Sequence, residues 1–80
     1  MSEFYLLTTQ QCELCSRALK LLHNLQLDDP IRLHVVTIEQ QPELLDEYRW
    51  LVPVLVNGLT DQELRWPFDA QKARQFIEEQ

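Results

Sequence analysis

The chain has two cysteines, and they stand three residues apart in Cys12-Glu13-Leu14-Cys15. On the first turn of a helix that spacing puts both sulfurs on one face, with a loop short enough for a disulfide to close without large backbone movement. Such a pair can cycle between dithiol and disulfide. At a helix N-terminus the first amide N–H groups have no intrahelical partner and the peptide dipoles present their positive end, which stabilises a thiolate at Cys12 more than at Cys15. Cys12 is therefore expected to be the nucleophile with the lower pKa, and Cys15 the more buried resolving thiol. Glu13 sets a negative charge beside that thiolate, and no Lys or Arg occurs between Met1 and Arg17 to offset it, so a moderate lowering is expected.

Two other readings stay open on these residues alone, half of a metal site and a pair of inert thiols. A zinc site would need two further ligands, and the remaining soft donors, His23 and His34, lie at spacings unlike any finger or ribbon. His23 reads as a surface residue of the first helix and His34 as an outward-facing strand residue, so no metal ligand set is assigned.

The elements that must position the cysteines follow from periodicity. Phe4-Tyr5-Leu6-Leu7 before Thr8-Thr9 is a continuous apolar run that suits a strand buried on both faces, over residues 3 to 8. Cys15, Ala18, Leu19, Leu22 and Leu25 recur at helical spacing, with Leu14 and Leu21 widening the stripe, and predict a helix over 12 to 26. Asp28-Asp29-Pro30 is a turn, after which Ile31, Leu33 and Val35 alternate with Arg32 and His34 and a β-branched run continues through Ile38 as a second strand.

Gln41-Pro42 opens a short helix with Leu44, Leu45, Tyr48 and Leu51 on its apolar side, ending before Pro53. Val54 to Val56 form a third strand and a fourth falls within Leu59 to Arg65. Asn57-Gly58, where both positions tolerate positive φ, competes with Thr60-Asp61 as the turn centre. Pro67 and Asp69 introduce a last helix with Ala70, Ala73, Phe76 and Ile77 as its buried stripe and Asp69 as its N-cap. The order β-α-β-α-β-β-α gives an α/β fold: a right-handed βαβ unit, a hairpin added antiparallel, and a four-stranded mixed sheet with helices on both faces. Cys12 then lies just past the carboxyl end of the first strand, where open α/β sheets place their chemistry.

Length and charge bound what the site can serve. Eighty residues with 45% hydrophobic and 25% charged side chains make one globular domain, 1–80, with one modest core. A net charge of −6 repels nucleic acid and anionic membrane surfaces, so neither is an expected partner. The apolar stretch at residues 51–56 is far short of a membrane span, and the N-terminus has no basic region ahead of a signal-like apolar run. A cytoplasmic monomer is expected, with no bound cofactor.

Taken together, these segments resemble the thioredoxin superfamily in its short glutaredoxin-like form, over nearly the whole chain. The matching residues are Thr8-Thr9-Gln10-Gln11-Cys12-Glu13-Leu14-Cys15 at the active-site turn, Val52-Pro53-Val54 in place of the family's Thr-Val-Pro, and Trp66-Pro67-Phe68-Asp69 before the last helix. The resemblance implies thiol-disulfide oxidoreduction at Cys12 and Cys15 and a cis bond before Pro53, with the Val52 backbone offered to an extended disulfide substrate, protein or small molecule. It also implies a cellular reductant, for which glutathione is a candidate. Three departures accompany it: Arg65-Trp66-Pro67-Phe68 stands where glutaredoxins carry Gly-Gly, Gln10 and Gln11 replace a basic residue, and Glu13-Leu14 replaces an aromatic motif. Trp66 has two readings, a core aromatic packing the last helix and a partner-contact surface near the thiols.

Overall fold

The computed structural model describes residues 2–79. One sheet carries the strands in the order β2-β1-β3-β4, with β1 at Ser2–Thr8, β2 at Ile31–Thr37, β3 at Val54–Asn57 and β4 at Glu63–Arg65. β1 runs parallel to β2, antiparallel to β3, and β3 antiparallel to β4. The helices are α1 (Glu13–His23), α2 (Pro42–Tyr48) and α3 (Ala70–Glu78), with a single 3₁₀ turn at Ile38–Gln40. The expected order and mixed sheet are thus present.

Alternation along β1 divides the core. Phe4 and Leu6, both fully buried, face α1 and α3 and pack with Ala18, Leu22, Leu55, Phe68, Ala73 and Ile77. Leu7 points to the opposite face, where Val54, Ile38 and Tyr48 form a smaller cluster under α2. Helices therefore cover both faces. At the end away from the cysteines, Glu78 accepts the Asp28 backbone N–H at 3.2 Å and pairs with Arg74 at 3.0 Å, tying the α1–β2 loop to α3. The Asp28 N–H, and secondarily Arg74, hold the Glu78 carboxyl below its usual range.

Several boundaries differ from the sequence reading, each for a physical reason. α1 stops at His23 rather than continuing to residue 26, because Asn24 caps it: its backbone N–H and its side-chain amide both donate to the Lys20 carbonyl, at 3.2 and 2.9 Å. Cys12 lies outside the helix as its extended N-cap, not on its first turn. Leu14 is 42% exposed rather than part of the buried stripe. Ile38 leaves the strand and opens the 3₁₀ turn, which buries its side chain completely.

The structure settles the hairpin turn, whose centre the sequence left open. Asn57 remains in the ladder opposite Phe4, and its side chain accepts the Leu59 and Thr60 N–H groups at 2.7 and 3.2 Å. The positive φ falls at Asp61 (63°), and Gly58 has none. Glycine is needed at 58 for a different reason: its N–H donates to the Glu3 carbonyl at 2.8 Å, and a Cβ there would lie 2.7 Å from the Tyr5 ring and 2.9 Å from the Glu3 carbonyl oxygen.

Candidate functional site

Strand directions gather the site at one end of the sheet. β1 ends at Thr8 opposite Thr37, Leu7 pairs with Val54 at the start of β3, and Val54 pairs with Arg65 at the end of β4. The loop carrying Cys12, the Val52-Pro53 segment and Trp66 therefore all leave the sheet at the same edge.

The cysteines are joined as a Cys12–Cys15 disulfide with Cα atoms 5.2 Å apart. The Cys12 sulfur accepts the Cys15 backbone N–H at 3.1 Å, and the Cys12 carbonyl accepts the Ser16 N–H at 3.2 Å. A sulfur thus fills the N-cap role usually taken by a hydroxyl or carboxylate oxygen. Cys15 is only 5% exposed, whereas Cys12 is half-buried, so an incoming sulfur reaches Cys12 first. Gln11, immediately before it, adopts a left-handed φ of 55°, a conformation that non-glycine residues adopt at some cost and that turns the chain sharply from strand to helix. Glu13 and Arg17 pair on the exposed face at 3.1 Å.

Val52 and Pro53 are linked by a cis peptide bond, and Pro53 is fully buried. The Val52 N–H donates to the Tyr48 carbonyl at 3.2 Å, and Leu51 N–H to the same oxygen at 2.9 Å. One of the two Val52 backbone groups is therefore already engaged within the protein. Trp66 N–H donates to the Pro53 carbonyl at 3.3 Å. The half-buried indole of Trp66 meets Phe68 edge-on, centroids 5.1 Å apart, and packs against the main core. A second cis bond, Trp66–Pro67, has no counterpart among the sequence expectations.

Three further residues near the site escaped the sequence reading. Both oxygens of Glu39 accept the Gln10 N–H, at 3.0 and 3.1 Å, clamping the turn before Cys12. The parallel register carries the signal for this pair, since continuing Thr8↔Thr37 by two residues sets Gln10 opposite Glu39. Tyr48, grouped by periodicity with the leucines of α2, donates its hydroxyl to Glu63 on β4. That hydrogen bond, reinforced by burial, pushes the Tyr48 hydroxyl up to about 12.

A folded-state pKa above the ordinary value of 10 stabilises the fold fully below pH 10, and the contribution disappears as the pH rises through 12. We expect Tyr48→Phe to be less stable than wild type by about 1–2 kcal/mol at neutral pH, the usual net worth of a hydrogen bond to a carboxylate, with the difference shrinking between pH 10 and 12 in urea denaturation series. Parallel stability curves for the two proteins would refute the assignment.

The histidines stay apart from the thiols. His23 is exposed on the last turn of α1. His34 stacks on Tyr5 at 4.9 Å at the middle of the β1–β2 ladder and lies 2.9 Å from Glu3. Among the described residues no group of three or more His, Cys, Asp or Glu comes together as a metal cage, and no helix is long and apolar enough to cross a membrane.

Residues 3–78 match the glutaredoxin-like domain family (DUF836). Two solved structures share the fold. The X-ray structure of Northeast Structural Genomics target protein XcR50 from X. campestris has a TM-score of 0.82 and 28% identity, covering 96% of this chain and 97% of that one. The solution structure of XcR50 has a TM-score of 0.80 and 29% identity, covering 100% and 96%. No curated protein matches. The architecture is thioredoxin-like.

Proposed function

Because this chain belongs to the glutaredoxin-like domain family (DUF836), we propose that it is a cytoplasmic thiol-disulfide oxidoreductase working through Cys12 and Cys15. The observation that carries this reading is the Cys12–Cys15 disulfide at the N-terminus of α1, with one sulfur accessible and the other buried. In the forward reaction the Cys12 thiolate attacks one sulfur of a substrate disulfide. A Cys12–substrate mixed disulfide forms, and the other substrate sulfur leaves and takes up a proton. Cys15 then gives up its proton and attacks the Cys12 sulfur, releasing the second substrate thiol and closing the Cys12–Cys15 bond. Two electrons and two protons pass to the substrate, and the protein is oxidised.

In this reading the α1 N-terminus stabilises the attacking thiolate. The buried Pro53 fixes the backbone beside it, and the Val52 carbonyl accepts a main-chain N–H from an extended substrate. Trp66 forms a wall of the same binding edge. Recycling draws two electrons from a cellular thiol, either two molecules of glutathione or one dithiol protein.

The carboxylates of Glu13 and Glu39 beside the cysteine turn favour one second reading, a redox switch of the same fold that closes its disulfide without turnover. A coupled reduction assay separates the two. The oxidoreductase should sustain many turnovers with a glutathione or a thioredoxin-type reducing system. A switch should exchange once and stop with both, which would overturn the catalytic reading.

A further inference from the structure

Large apolar side chains at the surface are few among the described residues, and two of the four, Leu14 (42% exposed) and Trp50 (89%), lie in the cysteine segment and in the segment that leads into Val52-Pro53. Leu14 stands between the cysteines. Trp50 stands two residues before Val52, and the Leu51 and Val52 N–H bonds to the Tyr48 carbonyl fix the loop that follows it. The other two, Val35 on the edge strand β2 and Leu59 in the hairpin, belong to neither segment. An indole left this open has given up burial that the small core could use, and tryptophan is a residue that anchors partner segments when covered.

The charges around the same edge discriminate between kinds of partner. Of the three arginines in the segments around it, Arg17 is held by Glu13 at 3.1 Å and Arg65 by Glu63 at 3.4 Å, while Arg49 has no carboxylate partner among the described residues. Glu39 adds a carboxylate against the turn that carries Cys12. Glutathione disulfide brings two carboxylates against one ammonium on each half, so it meets one available cation and an opposing carboxylate. A polypeptide disulfide with apolar and basic neighbours meets two exposed apolar side chains and a field that attracts it, since the whole chain carries −6.

Resting on the oxidoreductase reading above, we propose that the substrate is the disulfide of an extended polypeptide with apolar and basic residues beside its half-cystine, anchored on Trp50 and Leu14, and that glutathione disulfide is poorly accepted.

The test measures second-order rate constants for the reduced full chain with three disulfides: hydroxyethyl disulfide as a neutral minimal probe, glutathione disulfide, and a synthetic Leu/Lys-flanked peptide disulfide without acidic residues. The peptide should react at least about tenfold faster than glutathione disulfide. Trp50→Ala should lower the peptide rate, taken relative to the same variant's hydroxyethyl disulfide rate, by about tenfold, as expected for loss of a tryptophan anchor. Leu59→Ala, which removes an equally exposed apolar side chain from the hairpin, should change none of the three rates. Wild type reducing glutathione disulfide as fast as the peptide, or Trp50→Ala and Leu59→Ala acting alike, would overturn the substrate assignment while leaving the oxidoreductase reading standing. A wild type that reduces none of the three would remove both.

Discussion

Cys12→Ser is expected to abolish disulfide reduction, and Cys15→Ser to accumulate a mixed disulfide with substrate that does not resolve. The difference follows from position. Cys12 is half-buried at the N-cap and Cys15 is 5% exposed beneath it, so an external disulfide can be attacked by the first sulfur and not by the second. Loss of an essential nucleophile costs on the order of 10³-fold or more in rate, because the remaining groups position the substrate without supplying an attacking atom. Loss of Cys15 leaves that first attack intact and removes only the second, so intact-mass spectrometry of Cys15→Ser incubated with a disulfide substrate should show the adduct on Cys12. Equal residual activity of the two serine variants would mean that the sulfurs are interchangeable, which their unequal burial does not allow.

Phe4→Ala is expected to remove most of the stability of the fold. Phe4 is fully buried at the centre of β1, pairs with Asn57 across the sheet and meets Phe76 of α3 edge-on with centroids 6.1 Å apart. Truncating a buried phenylalanine costs about 3–5 kcal/mol through lost burial and the cavity left behind. A domain this small sits near the lower end of the usual range of roughly 5–15 kcal/mol, so the variant should be largely unfolded at a few molar urea, where wild type still holds its near-ultraviolet signal. Phe4→Leu keeps most of the volume and should cost about half as much or less. If Phe4→Ala loses under about 1 kcal/mol, the sheet does not depend on the α1–α3 layer in the way its burial implies.

These two expectations draw on parts of the molecule that differ in how legible they were beforehand. Phe4 was visible because a continuous apolar run of β-formers has few other uses, and Cys15, Ala18 and Leu22 were visible because their helical spacing puts them on one face. The same periodicity misplaced Leu14. A stripe shows which face of a helix is apolar but not where its edge falls: Cys15, Ala18 and Leu22 are buried along the whole of α1, and Leu14, at the margin of their face, is 42% exposed. The choice between Asn57-Gly58 and Thr60-Asp61 as turn centre stayed open for a related reason. Asn57-Gly58 signals a turn locally, yet what fixes Gly58 is the approach of Glu3 and Tyr5, more than fifty residues earlier in the chain.

The site divides along the same line. The cysteine pair was legible from spacing alone, and the cis bond before Pro53 from family resemblance. Glu39, the Tyr48–Glu63 bond and the engaged Val52 N–H depend on register and on how α2 packs, which nothing in the neighbouring residues records. The second cis bond, at Trp66–Pro67, was not anticipated.

The most direct test is residue-resolved alkylation of the reduced protein. The native fold is treated with iodoacetamide at neutral pH, quenched over a time course and mapped by peptide mass spectrometry. We predict that Cys12 is modified at least about tenfold faster than Cys15, because thiolate character and access are both greater at the helix N-cap. Equal rates, or Cys15 reacting first, would contradict the assignment of Cys12 as the attacking sulfur.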